Sequence, residues 1–332
     1  MKGLQTPETT ASPQFPVGIE VLHDDPDAVA DICFIHGVTG GRRTEWTTHQ
    51  QSEPWLKTLL PPHLNNVRIL SFGYDPLHGY FRKSRHLHSH ATDLLTDIVY
   101  YRRQAPLRPL IFITHCIGGL VCQEAINISH ASHDEPIANV FFSLRGIIFI
   151  NTPYLDEYRK AHREKTPDPK GVTHLTKTNH ARDDEFNYDL LRANFVRAMK
   201  YRPKSGTPVN ITFLFSMLDI KGIVPVAPSN TIKVTHHVDF EFVPLRVKHA
   251  DIIKIGSPEH RCFEPIVDRL NKWTFRTACQ TSINARPKRA PKGKTALRTE
   301  IIKSSISLYS NHTKRLPPSL RTDREDQKGY SL

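Results

Sequence analysis

Five short apolar runs constrain what this chain can fold into. They are DICFIH (31–36), VRILSFGY (67–74), PLIFIT (109–114), GIIFIN (146–151) and NITFLFS (210–216). Each is rich in Ile, Val or Phe and is bounded by Gly, Pro or polar residues. Unbroken runs of this kind suit strands buried on both faces of a parallel sheet, where apolar and polar residues need not alternate. Helix-length segments lie between them. Residues 53–60 form one, and 88–103 places Ala91, Leu94, Leu95, Ile98 and Tyr101 at helical spacing. Leu120, Cys122, Ala125, Ile126 and then Phe186, Leu190, Leu191, Phe195 mark two more. Ser257-Pro258 reads as the N-cap and first turn of a last helix, with Phe263, Ile266, Val267, Leu270 and Trp273 inward. Strand and helix alternate without an internal repeat, which predicts an α/β fold with a largely parallel sheet.

Composition narrows the class. Hydrophobic residues are 38% and charged residues 23% of 332, enough apolar material for a sizeable core. The longest apolar runs fall far short of the ~20 residues that a membrane-spanning helix needs. The first 16 residues have no apolar h-region, so no secretory signal is expected and this segment is expected to be disordered. Five scattered cysteines without a C-x-x-C pair argue against a disulfide scaffold or zinc knuckle and for a reduced, intracellular and most simply cytoplasmic setting. The net charge of +12 is concentrated: residues 276–332 hold thirteen Lys and Arg against four Asp and Glu. That tail, with RPKRAPKGK at 286–294, is expected to be solvated and disordered; nuclear import or contact with an anionic surface are its alternative uses. The folded domain is expected over 17–275, and neither its charge nor its motifs suggest nucleic-acid binding.

The chemistry concentrates at PLIFIT-HCIGG-LVCQEAI (109–126), where a buried strand turns directly into a helix. In a nucleophile elbow, a reactive side chain sits on such a strained turn with small residues two positions away on either side. Cys116 takes the nucleophile position and Gly118 the downstream one. Gly119 lets the helix approach the sheet, and His115 precedes the nucleophile. Thr114 stands upstream where Gly is usual, at a position that tolerates little bulk.

Further motifs follow in order: FIHGVTGG (34–41), Glu45-Trp46-Thr47, PWLKTLLP (54–61), RILSFGYD (68–75), SHATDLL (89–95), HCIGGLV (115–121) and IIFINTPY (147–154). Together they resemble the serine-esterase branch of the α/β-hydrolases, the serine active site-containing proteins and their fungal relatives, with Cys in place of the elbow Ser. The resemblance is strong over 30–155, thinner to 275 and absent beyond. It implies an α/β-hydrolase fold with helices on both faces of the sheet. It also implies a late His as base and a carboxylate between nucleophile and base in chain order. His249, in VKHAD before the last helix, matches that base; His236 and His237 lie in a polar loop. Phe215 stands where relatives carry the acid, and Asp219 is the nearest substitute. Membrane association at the endoplasmic reticulum or mitochondrion is a further implication of the resemblance.

The oxyanion hole is expected from the backbone N–H groups of Ile117, which follows the nucleophile, and Val38, in the loop after the first run. Gly40-Gly41 is expected to keep that loop mobile; it lacks the Gly-Lys-[Ser/Thr] ending of a phosphate loop, so nucleotide binding is not expected. A Cys at a helix N-terminus with a His partner can ionise with less help from an acid than a Ser needs, which predicts a Cys116–His249 dyad. His86, His88 and His90 are read as a polar helix start rather than as metal ligands. Residues 155–185 are read as a lid, and no cofactor or metal is expected. The chain is expected to hydrolyse a small ester or thioester substrate by acyl transfer through Cys116. Its alternative is a catalytically impaired domain, with Cys116 a buried small hydrophobe, that serves binding or signalling.

Overall fold

The computed structural model describes residues 16–38, 40–76, 84–152, 187–205, 209–218 and 240–285. Among the described residues there are seven strands: β1 (Gly18–His23), β2 (Ala30–Ile35), β3 (Val67–Gly73), β4 (Leu110–His115), β5 (Leu144–Ile150), β6 (Asn210–Leu218) and β7 (Phe240–Lys248). They form one sheet in the order β1-β3-β2-β4-β5-β6-β7. β1 runs antiparallel to β3, and every other pair is parallel. The helices are α1 (Trp55–Thr58), α2 (Ser84–Tyr101), α3 (Gly118–Ala131), α4 (Glu135–Ser143), α5 (Tyr188–Ser205) and α6 (Phe263–Ala285). This strand order, with a strand-to-helix turn after β4, is an α/β-hydrolase fold.

The apolar runs are continuous because the sheet is covered twice. Cys33, Ile35, Phe112, Ile147, Phe149 and Phe213 pack on one face beneath α2, α3, α4 and α5. Their neighbours Ile32, Phe34, Ile111, Ile113, Ile148 and Leu214 pack on the other, against Trp46, Trp55 and the inner face of α6. Each buried Phe or Ile contributes roughly 1.5–3 kcal/mol by leaving water. Among the described residues, no helix is long and apolar enough to cross a membrane.

Several local expectations need correcting. The segment 53–60 yields only the single turn α1. The last helix begins at Phe263, not at Ser257-Pro258. Residues 257–263 instead form two successive turns, closed by His260 N–H to the Ser257 carbonyl at 3.1 Å and Phe263 N–H to the His260 carbonyl at 2.8 Å. Those turns bury Cys262 and Phe263 against the core before the helix starts. The edge strands β1 and β7 and the helix α4 were not anticipated. The 155–185 stretch, most of the 276–332 tail and residues 1–15 lie outside the described residues.

The base of the sheet carries a buried charge at the start of β2. Asp31 is fully buried and accepts bonds from Arg68 Nε at 2.9 Å, Arg102 Nε at 2.8 Å and an Arg108 guanidinium nitrogen at 3.1 Å. Arg102 also donates to Ser143 Oγ at 2.9 Å, and burial lowers its pKa. One carboxylate thus ties β2 and β3 to the end of α2, the loop entering β4 and the end of α4. Removing a single partner from such a network leaves uncompensated buried charge, so Asp31→Ala is expected to cost about 3–5 kcal/mol in urea unfolding. The rate of alkylation of Cys116, at the opposite end of the sheet, should be unchanged in the folded variant.

Candidate active site

The site lies at the C-terminal ends of β2, β4 and β5. Cys116 sits between β4 and α3 with φ of 50°, a left-handed conformation that costs a non-Gly residue roughly 1–2 kcal/mol. Its surroundings hold it there. Cys116 N–H donates to the Ile150 carbonyl at 2.9 Å, and its own carbonyl accepts from Gly119 N–H at 3.1 Å. A side chain at Gly118 would strike the carbonyls of His36 and Ile35, and one at Gly119 would strike Thr152. Both glycines are therefore set by close approach of α3 to the sheet. Thr114 fits because its side chain is fully buried towards β5, with Oγ1 3.4 Å from the Ile148 carbonyl.

Cys116 as a residue is half-buried, and its thiol is closely surrounded by protein. Burial dominates its ionisation and pushes the pKa up to about 11, and the nearby Glu45 carboxylate pushes in the same direction. The backbone N–H groups of Ile117 and Val38 face the sulfur and pull the other way, without prevailing. The two N–H groups expected for an oxyanion hole thus converge on Cys116. The Val38 side chain itself points outward, 41% exposed.

Glu45 was not singled out from the sequence as a site residue, and it is the centre of the site. It lies in a single 3-10 turn (Thr44–Trp46), and only 1% of it is exposed. Oε1 lies 2.5 Å from His115 Nδ1 and accepts Gly37 N–H at 3.1 Å. Burial would raise its pKa, but the hydrogen bond and attraction of His115, with His36 and the Gly37 N–H, hold it down at about 2. Gly40 is packed against Glu45, with no room for a Cβ between it and the carboxylate. The glycine pair therefore serves close packing around a carboxylate rather than loop mobility. Gly41 is likewise held, its N–H on Thr44 Oγ1 at 2.8 Å.

His249 lies beside His115, with ring centres 5.6 Å apart. Burial lowers its pKa to about 4, with His115 acting in the same direction and Glu45 against it. The loop that carries it is fastened to the segment that carries Glu45. Lys254 Nζ donates to the carbonyls of Thr44, Glu45 and Thr47 at 2.8–3.1 Å, and Trp55 Nε1 donates to the Ile253 carbonyl at 3.0 Å. His36 is a structural neighbour. Its ring stacks on Tyr74 at 4.3 Å and accepts the Tyr74 N–H, and burial lowers its pKa to about 4. Asp219, His236 and His237 lie outside the described residues, whereas Phe215 is a half-buried residue within β6. His88 pairs with Glu124 at 2.9 Å while His90 lies against Tyr74, so these two histidines diverge.

No family model matches the chain. Protein SERAC1 of Mus musculus is 24% identical over 278 residues, a match covering 74% of this chain and 40% of that protein. Protein SERAC1 of Danio rerio is 22% identical over 276 residues, covering 74% and 39%. The chain thus spans about two fifths of the length of the curated relatives it matches. Solved structures similar to it include Esterase B from Lactobacillus rhamnosis, with a TM-score of 0.45 and 10% identity over 82% of this chain and 91% of that one. Est1E from Butyrivibrio proteoclasticus gives 0.41 and 13% over 79% and 93%. The NocB thioesterase domain from the nocardicin cluster gives 0.39 and 13% over 77% and 98%.

The depressed pKa of Glu45 makes a testable contribution to stability. Its carboxylate form is favoured by the fold, so the stabilisation is complete above its ordinary value of 4.5 and lost as pH falls towards 2. Glu45→Gln is expected to lower stability by on the order of 3 kcal/mol at pH 7. It should also show a shallower loss between pH 4.5 and 2 than the wild type, read by urea unfolding at several pH values.

Proposed function

We propose that the chain is a hydrolase of small esters or thioesters that works by acyl transfer through Cys116, with His249 as general base. The observation that carries this reading is the left-handed turn at Cys116, with the N–H groups of Ile117 and Val38 both facing its sulfur. A side chain strained into that position, opposite two backbone donors, is arranged for attack on a carbonyl whose oxygen those donors receive. Asp219 remains a candidate for the acid of the site from its place in the sequence.

The resting thiol and imidazole are both neutral, since burial raises the first to about 11 and lowers the second to about 4. The reaction is therefore general-base catalysis rather than attack by a preformed thiolate. As sulfur bonds to the acyl carbon, its proton passes to His249 and the carbonyl electron pair moves onto oxygen. Collapse of that oxyanion breaks the bond to the leaving alcohol or thiol, which takes the proton from His249. Water, giving its proton to His249, then attacks the thioester and releases the acid and the free Cys116 thiol.

Turnover of p-nitrophenyl acyl esters by wild type and its loss, a hundredfold or more on the scale of removing a nucleophile, in Cys116→Ala is the expected result. Equal turnover in both removes Cys116 from the mechanism. No turnover in either overturns the hydrolase reading in favour of a binding domain. Iodoacetamide provides a second check. With a pKa of about 11, Cys116 should react more slowly at pH 7 than a free thiol, and its rate should rise about tenfold per pH unit up to that value. A plateau at or below about pH 8, where an unperturbed thiol titrates, would contradict a neutral resting thiol.

A further inference from the structure

The buried Glu45–His115 pair has no part in the reaction as written above, yet His115 adjoins Cys116 in the chain and its ring lies against that of His249. His115 is 4% exposed, and its Nε2 is a buried atom without a hydrogen-bond partner. Its Nδ1 is engaged by Glu45 at 2.5 Å, and its ring is 5.6 Å from that of His249 at an interplanar angle of 50°. Strand β6 carries no carboxylate from Asn210 to Leu218.

We propose that Glu45 is the acid of this site, acting on His249 through the imidazole of His115. The inference rests on the reading of His249 as base. A carboxylate only accepts, so Nδ1 of His115 carries the proton it shares with Glu45. In the neutral imidazole of this proposal, with that proton on Nδ1, Nε2 is a lone pair, and a buried acceptor without a donor is costly. The N–H that can answer it belongs to His249. Two imidazoles with centres 5.6 Å apart are one side-chain rotation from an N–H···N bond. Once that bond closes, the His249 proton is fixed on the nitrogen facing His115, and the lone pair of the other nitrogen is left for the Cys116 thiol. The choice of tautomer is what an acid does for a catalytic histidine. Here it passes through one intervening ring.

The surroundings support a fixed arrangement. Lys254 fastens the Glu45 turn to the His249 loop by three carbonyl bonds, and Gly37 N–H holds the carboxylate from the other side. The ionisable groups around the pair are His36, Tyr74, Cys116, His249 and Lys254. His36 already donates or accepts at both ring nitrogens, so it does not compete for His115 Nε2. Glu45 and His115 are positioning residues and touch no substrate.

The test is nitrogen-15 NMR of histidine-labelled protein at about pH 8, where an ordinary imidazole is neutral, beside steady-state kinetics. In the wild type, His115 should carry its proton on Nδ1, and His249 should show one tautomer with a coupling through the His115–His249 hydrogen bond. In the double variant Glu45→Gln/His115→Phe, the introduced amide oxygen can still accept the Gly37 N–H, and His249 should show both tautomers. Glu45→Gln alone should lower kcat by about tenfold or more with KM unchanged, as for loss of an orienting acid. Mixed tautomers of His249 in the wild type, or a single tautomer surviving the double substitution, would overturn the proposal whether or not the protein turns over esters. The expected NMR signature in a protein without ester turnover would support the positioning role and overturn the hydrolase reading instead.

Discussion

The burial of one carboxylate organises the working end of this molecule. Glu45 is nearly inaccessible, and a charge in that position survives only if the structure brings donors to it. It draws Gly37 N–H and His115 onto one oxygen, and so fixes the end of β2 relative to the end of β4. The same constraint explains the glycines around it. A Cβ at Gly37 would lie within 3.0 Å of Cys116 Cβ, His115 Nδ1 and Glu45 Oε1 together. The loop after β2, the elbow and the paired imidazole are thus one packed unit, and any change in the carboxylate is felt by all three.

The second constraint is the way the two ends of the sheet divide the buried charge. Asp31 with its three arginines closes the base of the sheet, where β2, β3 and β4 begin. Glu45 with His115 closes the top, where β2 and β4 end. Between them the strands are largely apolar and covered on both faces. A rigid apolar slab with satisfied charges at both ends can hold Cys116 in a conformation that costs energy locally, because many contacts share that cost.

Much of this fold was legible in the sequence because the central strands are buried twice. DICFIH, PLIFIT and GIIFIN need no alternation, and their unbroken runs are hard to place anywhere else. The edge strands were not legible for the converse reason. β1 and β7 are half-exposed, with β7 interrupted by Pro244, and their mixed sequences read as loop. The strand-to-helix turn at Cys116 was legible from the apolar run before it and the two glycines after it, which the close approach of α3 to the sheet requires. Glu45 was not. A glutamate in a polar loop beside two arginines has every local mark of a solvated residue. Its burial is decided by Lys254 and Ile253, about two hundred positions away, which pin that loop beneath the segment carrying His249. The start of α6 failed similarly: Ser-Pro is a good local cap, but burying Cys262 and Phe263 required two further turns first.

The dense packing that builds the elbow also sets the chemistry available to it. A helix N-terminus and two facing N–H groups favour a thiolate, and on those terms alone Cys116 would ionise easily. Desolvation and the negative field of Glu45 outweigh them, so the sulfur keeps its proton at rest. In the proposed reaction, the same two backbone donors are left for charge that develops on a substrate oxygen, which is where donors of fixed orientation are most effective. A site of this kind gives up a standing nucleophile, and its rate depends on how well the base is oriented when the substrate arrives. Under the proposal, the carboxylate that suppresses the thiolate is also the group that compensates for doing so. Its influence on the sulfur is unfavourable to ionisation, while the imidazole bound to it stands beside His249, the base of the proposed reaction.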